Sequence, residues 1–287
     1  MSRVGTLAAK EIVPRRISPE IPDDARRHWF DGDAASTHMF NALSVGFPRG
    51  EKLFVDSVRA YRDRIRDPEL AEAVRRFVAQ ETHHSRAHEA FNAWLTRCGL
   101  PVAEVEALVV RDMAWSEANL PPEVLLAVTA ALEHFTALLA RALVEAPGFL
   151  DAIDEPIRTL WLWHALEETE HKSVAIDVYR HVGGRESVRL AAMAVISVLF
   201  VRDAFAQQAM FMKADGRGRD VRSYARFARR FFGEGGHLSG LLGPYLAYYR
   251  RDFHPWQDDD GSTMRKARAM LEKALAGEGR EPAGLAA

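Results

Sequence analysis

Two stretches of the chain repeat one short spacing of acids and imidazoles. In Phe77-Val-Ala-Gln-Glu81-Thr-His-His84-Ser-Arg-Ala-His88, the residues Glu81, His84 and His88 stand at i, i+3 and i+7. In Trp163-His164-Ala-Leu-Glu167-Glu168-Thr-Glu170-His171, the residues His164, Glu168 and His171 stand at i, i+4 and i+7. On an α-helix each trio falls within about 60 degrees of arc. Carboxylates can bridge two cations, and imidazole suits iron, zinc or manganese. Each stretch therefore reads as half of a metal site.

Paired Glu-x-x-His helices need one further Glu from each of two partner helices to complete a di-metal carboxylate cage. Glu133 interrupts an otherwise apolar run, Leu125-Leu-Ala-Val-Thr-Ala-Ala-Leu-Glu133-His-Phe. A buried carboxylate there requires a cation, a hydrogen-bond partner or a raised pKa. Glu51, in Pro48-Arg-Gly-Glu51, is the matching candidate upstream, although a Glu in a first helical turn ordinarily faces water. Of the neighbours Glu167 and Glu168, the i, i+3 spacing favours Glu168 as the ligand. Glu167 and Glu170 are left as candidate general bases. His88 and His164 are read as additional ligands, or else as donors that orient a carboxylate or as buried polar residues. Trp161, Trp163, Phe77 and Phe135 are core aromatics by spacing, placed to shape a pocket.

These residues need long helices, and the punctuation supplies them. Asp67-Pro68 reads as an N-cap with Pro at the first helical position of a helix reaching about Cys98. Its partner is expected to begin near Pro48 or Gly50 and to end near Ile65. Pro121-Pro122 opens a helix to about Glu145, and Asp154-Glu155-Pro156 opens one that ends before Gly183-Gly184. A fifth helix, Glu186 to about Lys213, is expected to bury its apolar run Leu190–Val201. Shorter helices are expected over 221–232, 238–251 and 262–276. The fold class is all-α, a ferritin-like four-helix bundle with additional C-terminal helices. The organisation is a flexible arm over 1–24, a metal-binding domain over 25–256 (bundle core about 48–182, extension about 186–256) and a C-terminal helix and disordered tail over 257–287.

Lys and Arg number 38 against 40 for Asp and Glu, so no overall field favours nucleic acid. The Arg217, Arg219, Arg222, Arg226, Arg229 and Arg230 cluster is read as a solvated amphipathic face in preference to an anionic partner or membrane surface. The longest apolar run is too short for a transmembrane segment, which needs roughly 20 residues. Cys98 is the only cysteine, which excludes an intramolecular disulfide and suits a reducing, cytoplasmic compartment.

The same motifs, with Asn41-Ala-Leu-Ser, Phe47-Pro-Arg-Gly-Glu51, Asn92, Lys172 and Asp177-Val-Tyr179, resemble a bacterial family labelled predicted metal-dependent hydrolase. The resemblance spans roughly residues 25–256 and implies a functional role for Glu51. The label implies hydrolysis, whereas the ligand set is similar to that of ferritin-like di-iron oxidases. The expectation from the ligands is a non-haem di-iron enzyme that uses dioxygen, with an electron donor, to oxidise a small apolar organic substrate. Two metal ions per chain are expected, iron first, with manganese or zinc as alternatives. The alternative function is a metal-dependent hydrolase with Glu167 or Glu170 as general base, and a third reading is a ferritin-like metal store.

Overall fold

The computed structural model describes residues 11–18, 20–258 and 260–277. Among them the chain is all-α, as its patterning predicts. The helices are α1 (Ala34–Arg59), α2 (Pro68–Arg97), α3 (Val102–Asn119), α4 (Pro122–Glu145), α5 (Ile157–His171), α6 (Val174–His181), α7 (Glu186–Ala214), α8 (Val221–Phe232), α9 (Leu242–Ala247) and α10 (Gly261–Gly277).

Local chemistry sets several of these boundaries. Asp67 accepts from the Glu69 amide at 2.9 Å and Pro68 occupies the first turn, so α2 starts where its cap predicts. Pro122 does the same for α4. The start of α1 differs from expectation: it begins at Ala34, capped by Asp33, and runs straight through Pro48. Proline leaves the carbonyl four residues earlier without its helical donor. That carbonyl belongs to Ser44, and Asn92 Nδ2 donates to it at 3.1 Å from α2. The neighbouring helix thus repairs the gap that would otherwise have ended α1, and Glu51 lies deep in a helix instead of in a first turn.

Two further differences bear on the site. The helix expected to reach Gly183 breaks after His171, where Ser173 Oγ donates to Asp177 at 2.7 Å and accepts from Trp256 Nε1 at 3.1 Å. The segment 102–119, unassigned from sequence, is α3, packed on α1 and α2. The span 238–251 is helical only over α9.

α1 packs on α2 and α4 on α5, with α1 also against α4 and α2 against α5. The buried apolar residues form two clusters, one around Trp29, Phe40, Phe91 and Trp163, the other around Phe54, Phe77, Leu126 and Tyr179. α4, the one described helix long and apolar enough to suit a membrane span, is half buried and carries Glu133 within this packing.

Both ends of the chain also contribute. Ile12 is buried, and Arg15 bonds to α5, so residues 12–16 are not the loose arm expected of them. Buried acceptors on α5 recruit this segment. Residues 1–10 and the tail after 277 lie outside the described residues. α10 packs on α5 through Met264, Ala267 and Leu271. α7 packs on α1 and α4, yet its apolar run is not buried as expected: Val195, Val198 and Val201 are 56%, 68% and 49% exposed. Within this run nearly every residue is apolar, so a side not covered by α1 or α4 is apolar too.

Candidate metal centre

α2 presents Glu81 and His84, α5 presents His164, Glu168 and His171, α4 presents Glu133 and α1 presents Glu51, and all seven side chains are buried. Their ligand-type atoms fall into two groups, Glu51 with His84 and His164, and Glu81 with Glu168 and His171, each within 4.8 Å. Glu133 Oε2 lies 3.5 Å from His171 Nε2 and joins the second group. Glu168 connects the two. Its Oε1 is 3.1 Å from His164 Nε2 and 3.5 Å from His84 Nδ1, while its Oε2 is 3.6 Å from His171 Nε2.

The direction of the hydrogens at His164 follows from a chain of partners behind it. Asn92 Nδ2 donates to the Ser44 carbonyl, which turns its Oδ1 toward Ser44 Oγ as acceptor at 2.8 Å. Ser44 therefore spends its only hydrogen on Asn92 and accepts from His88 Nδ1 at 2.8 Å. His88 Nε2, left with a lone pair, accepts from His164 Nδ1 at 2.9 Å. Burial, with the His84 charge, holds His88 well below the ordinary imidazole range, and burial with the His84 charge brings His164 to about 4, which favours the neutral form of both rings. His164 Nε2 consequently faces Glu168 Oε1 as one lone pair against another. Such a pair is stable when a cation lies between the two atoms.

His171 is oriented in the same way. Gln80 Nε2 donates to Glu170 at 3.0 Å, so its Oε1 accepts from His171 Nδ1 at 2.9 Å and Nε2 is left for the acids. His171 Nε2 is 3.0 Å from Glu81 Oε1, but misaligned for a hydrogen bond. Both oxygens of Glu81 and of Glu133, Oε1 of Glu51, Oε2 of Glu168 and both nitrogens of His84 also lack hydrogen-bond partners among the described residues. Buried polar atoms are rarely left this way. Burial, with the nearby carboxylates, raises Glu51 and Glu133 well above the usual carboxylate range and raises Glu81. His84 and His171 are raised in turn, their burial outweighed by the surrounding acids, while Glu168 is held low despite burial by His171 and its other imidazole partners. Acids that hold protons beside imidazoles that gain them make a donor set able to exchange those protons for metal cations. The residues present fit a pair of metal ions.

Three expected roles change on this geometry. His88 does not reach the cage, because both its nitrogens are used behind His164. Glu170 is saturated by Arg15, Arg268, Gln80 and the Val13 amide, so it has no lone pair left for a general base. Glu167 accepts at Oε1 from the Arg15 amide at 2.8 Å and Trp163 Nε1 at 3.0 Å, and its Oε2 lies 3.2 Å from His84 Nε2. This is an ion pair with the His84 ring and leaves Nδ1 toward Glu168 and Glu81. Sequence reasoning missed Arg15, Gln80, Ser44 and Arg268. Gln80 and Ser44 lie inside quoted motifs, but Arg15 and Arg268 carry no local signal.

A third group, His28, His38 and Asp215, lies apart. Both rings meet Asp215 Oδ2, at 2.6 and 3.1 Å, and Arg27 takes its other oxygen. The guanidinium already supplies the positive charge there.

Compared with known families, the chain matches, over residues 13–259, the model of one described as predicted metal-dependent hydrolase. No curated protein and no solved structure matches it.

Proposed function

The chain belongs to the predicted metal-dependent hydrolase family, and on that premise we propose that its cage holds two metal ions and hydrolyses a small organic substrate. The carrying observation is Glu168, a single carboxylate with one oxygen toward each ligand group. In this reading Glu51, His84 and His164 would hold one ion and Glu81, Glu133 and His171 the other, with Glu168 available to both groups. The arrangement resembles the ferritin-like bundles in setting Glu and Glu-x-x-His on four helices. When bound, such ions acidify water and polarise a carbonyl or phosphoryl oxygen. Zinc and manganese suit this role as well as iron does.

The protein's own groups orient and exchange protons. Ser44, Asn92 and His88 fix the tautomer of His164, Gln80 fixes that of His171, and Glu167 holds His84. Glu51 has Oε2 fixed by Ser85 at 2.7 Å and Oε1 unpartnered among the described residues, beside a cavity of about 190 Å³. That free oxygen is placed to take a proton from water and return it to a leaving group. The role foreseen for Glu167 and Glu170 passes to it.

The family match moves the reaction from the dioxygen chemistry expected of the ligands to its alternative, and the electron donor falls away with it. The lone Cys98 supports a cytoplasmic location. The test is hydrolysis of p-nitrophenyl carboxylic and phosphoric esters by zinc- or manganese-loaded protein without oxygen. Turnover that is lost on chelation and restored by either metal is expected; turnover only with iron and oxygen would overturn the reading.

A further inference from the structure

His164 and Glu168 form part of the wall of a cavity of about 490 Å³. Trp161 lies on the same wall, buried, with its Nε1–H unpartnered among the described residues. The rest of the lining is almost wholly aliphatic and aromatic, and it reaches the surface at Val201, Phe205, Phe232 and Leu242, which are 49%, 40%, 56% and 66% exposed. A water occupies roughly 30 Å³, and a methylene is of similar size, so the space suits an alkyl chain of on the order of a dozen carbons.

The mouth continues into a larger apolar face. On α8, Val221, Ala225, Ala228 and Phe232 fall at i, i+4, i+7 and i+11 and are all exposed. On α7, Val195 and Val198 extend the same exposure. Beside this surface, Arg219, Arg222 and Arg229 are exposed and pair with no acid among the described residues. A symmetric contact with a second copy would set this patch against itself, arginines against arginines, and close both cavity mouths. An anionic lipid surface complements both the charge and the apolar rim.

We propose that this face docks on an anionic bilayer and that the cavity takes the acyl chain of a lipid drawn from it, with the lipid's polar end at Trp161, His164 and Glu168. The placement of the polar end rests on the hydrolase reading of the cage; docking and chain binding do not. Arg219, Arg222 and Arg229 of the arginine cluster and the α7 run, expected from sequence to be part of a solvated face and a buried helix, become one binding surface.

The test uses the full chain with vesicles of phosphatidylcholine, alone or with phosphatidylglycerol, and reads co-sedimentation. Binding is expected only with phosphatidylglycerol present and should fall by at least about tenfold in Arg222→Glu/Arg229→Glu and in Val198→Asp/Leu242→Asp. A second measurement follows the fluorescence of 11-(dansylamino)undecanoic acid. Saturable binding displaced by dodecanoate is expected, with loss in Ala204→Trp, whose helicity and vesicle binding should match the parent. No sedimentation with phosphatidylglycerol, or the same sedimentation of every variant, would overturn docking, as would a solution dimer that Val198→Asp dissociates. Equal probe binding by Ala204→Trp would overturn the chain site. All these readouts are independent of turnover, so a failed esterase assay leaves them standing.

Discussion

His164 Nε2 and Glu168 Oε1 face each other across 3.1 Å with no hydrogen left to place between them. The hydrogens of Ser44, His88 and His164, and one of those of Asn92, are consumed pointing away from the cage. This contact supports the proposal that the cage takes up metal, because two lone pairs at that distance repel unless a cation joins them. On the two-ion proposal, Glu168 is the residue on which both ions would depend.

Accordingly, Glu168→Ala should bind neither metal tightly, whereas Glu133→Ala should keep close to one ion per chain. Elemental analysis of protein purified without added metal is the measure. Two ions retained in Glu168→Ala would rule out the bridging role.

Removing the chain behind His164 should weaken metal binding without removing a ligand. Ser44→Ala frees His88 to reverse its tautomer, which lets His164 point a hydrogen into the cage. The cost expected for losing such a supporting partner is about 10- to 100-fold in metal affinity. Competition with a chromophoric chelator reads it, and unchanged affinity in Ser44→Ala would show that the ring direction is set elsewhere.

Glu51→Gln separates binding from proton transfer. The amide keeps a carbonyl oxygen for coordination but cannot take up a proton. Metal content should stay at one ion per chain or more while kcat on the p-nitrophenyl esters falls by roughly 10²- to 10⁴-fold. Parallel loss of metal and activity would make Glu51 a ligand alone.

Arg15 reaches Glu167 and Glu170 from a segment about 150 positions earlier in the chain. Arg15→Ala leaves two buried carboxylates short of donors, which predicts a lower melting temperature and a metal affinity reduced at least several-fold through His84 and His171. Arg15→Lys should restore the charge but not the paired contacts, and so recover only part of the loss. A variant identical to the parent in both measurements would remove the N-terminal segment from the site's support.

Stability should fall in mild acid. Burial lowers His38 and His134 to about 4, against about 6.5 in an unfolded chain. Between those values the unfolded state binds more protons, so stability is complete above about 6.5 and is lost as pH drops toward 4. Each group contributes at most about 1.4 kcal/mol per pH unit. His134 is enclosed by Tyr248 and Phe253, at 5.0 and 5.1 Å, so His134→Gln should flatten the dependence of the urea midpoint on pH. An equally steep slope in that variant would assign the acid sensitivity to other groups.

The chemistry of the site was legible in the amino-acid sequence because helical period alone puts Glu81 beside His84 and Glu168 beside His171. Prolines and caps marked the starts of α2 and α4, and Glu133 stood out against its apolar flanks. Local pattern cannot say which helices face one another, and the remaining decisions depend on that. Asn92 on α2 satisfies the carbonyl exposed by Pro48, which carries α1 through and buries Glu51. Ser44 donates to Asn92 and accepts from His88 Nδ1, which turns His88 away from the cage, and Arg15 with Arg268 neutralises Glu170 from opposite ends of the chain. The apolar run of α7 read as a buried segment, and only the packing of its neighbours decides that one apolar face stays open to the surface. Sequence determined the candidate ligands through short-range geometry; tertiary structure decided, through contacts between residues far apart in the chain, which of them face the cage and what holds them there.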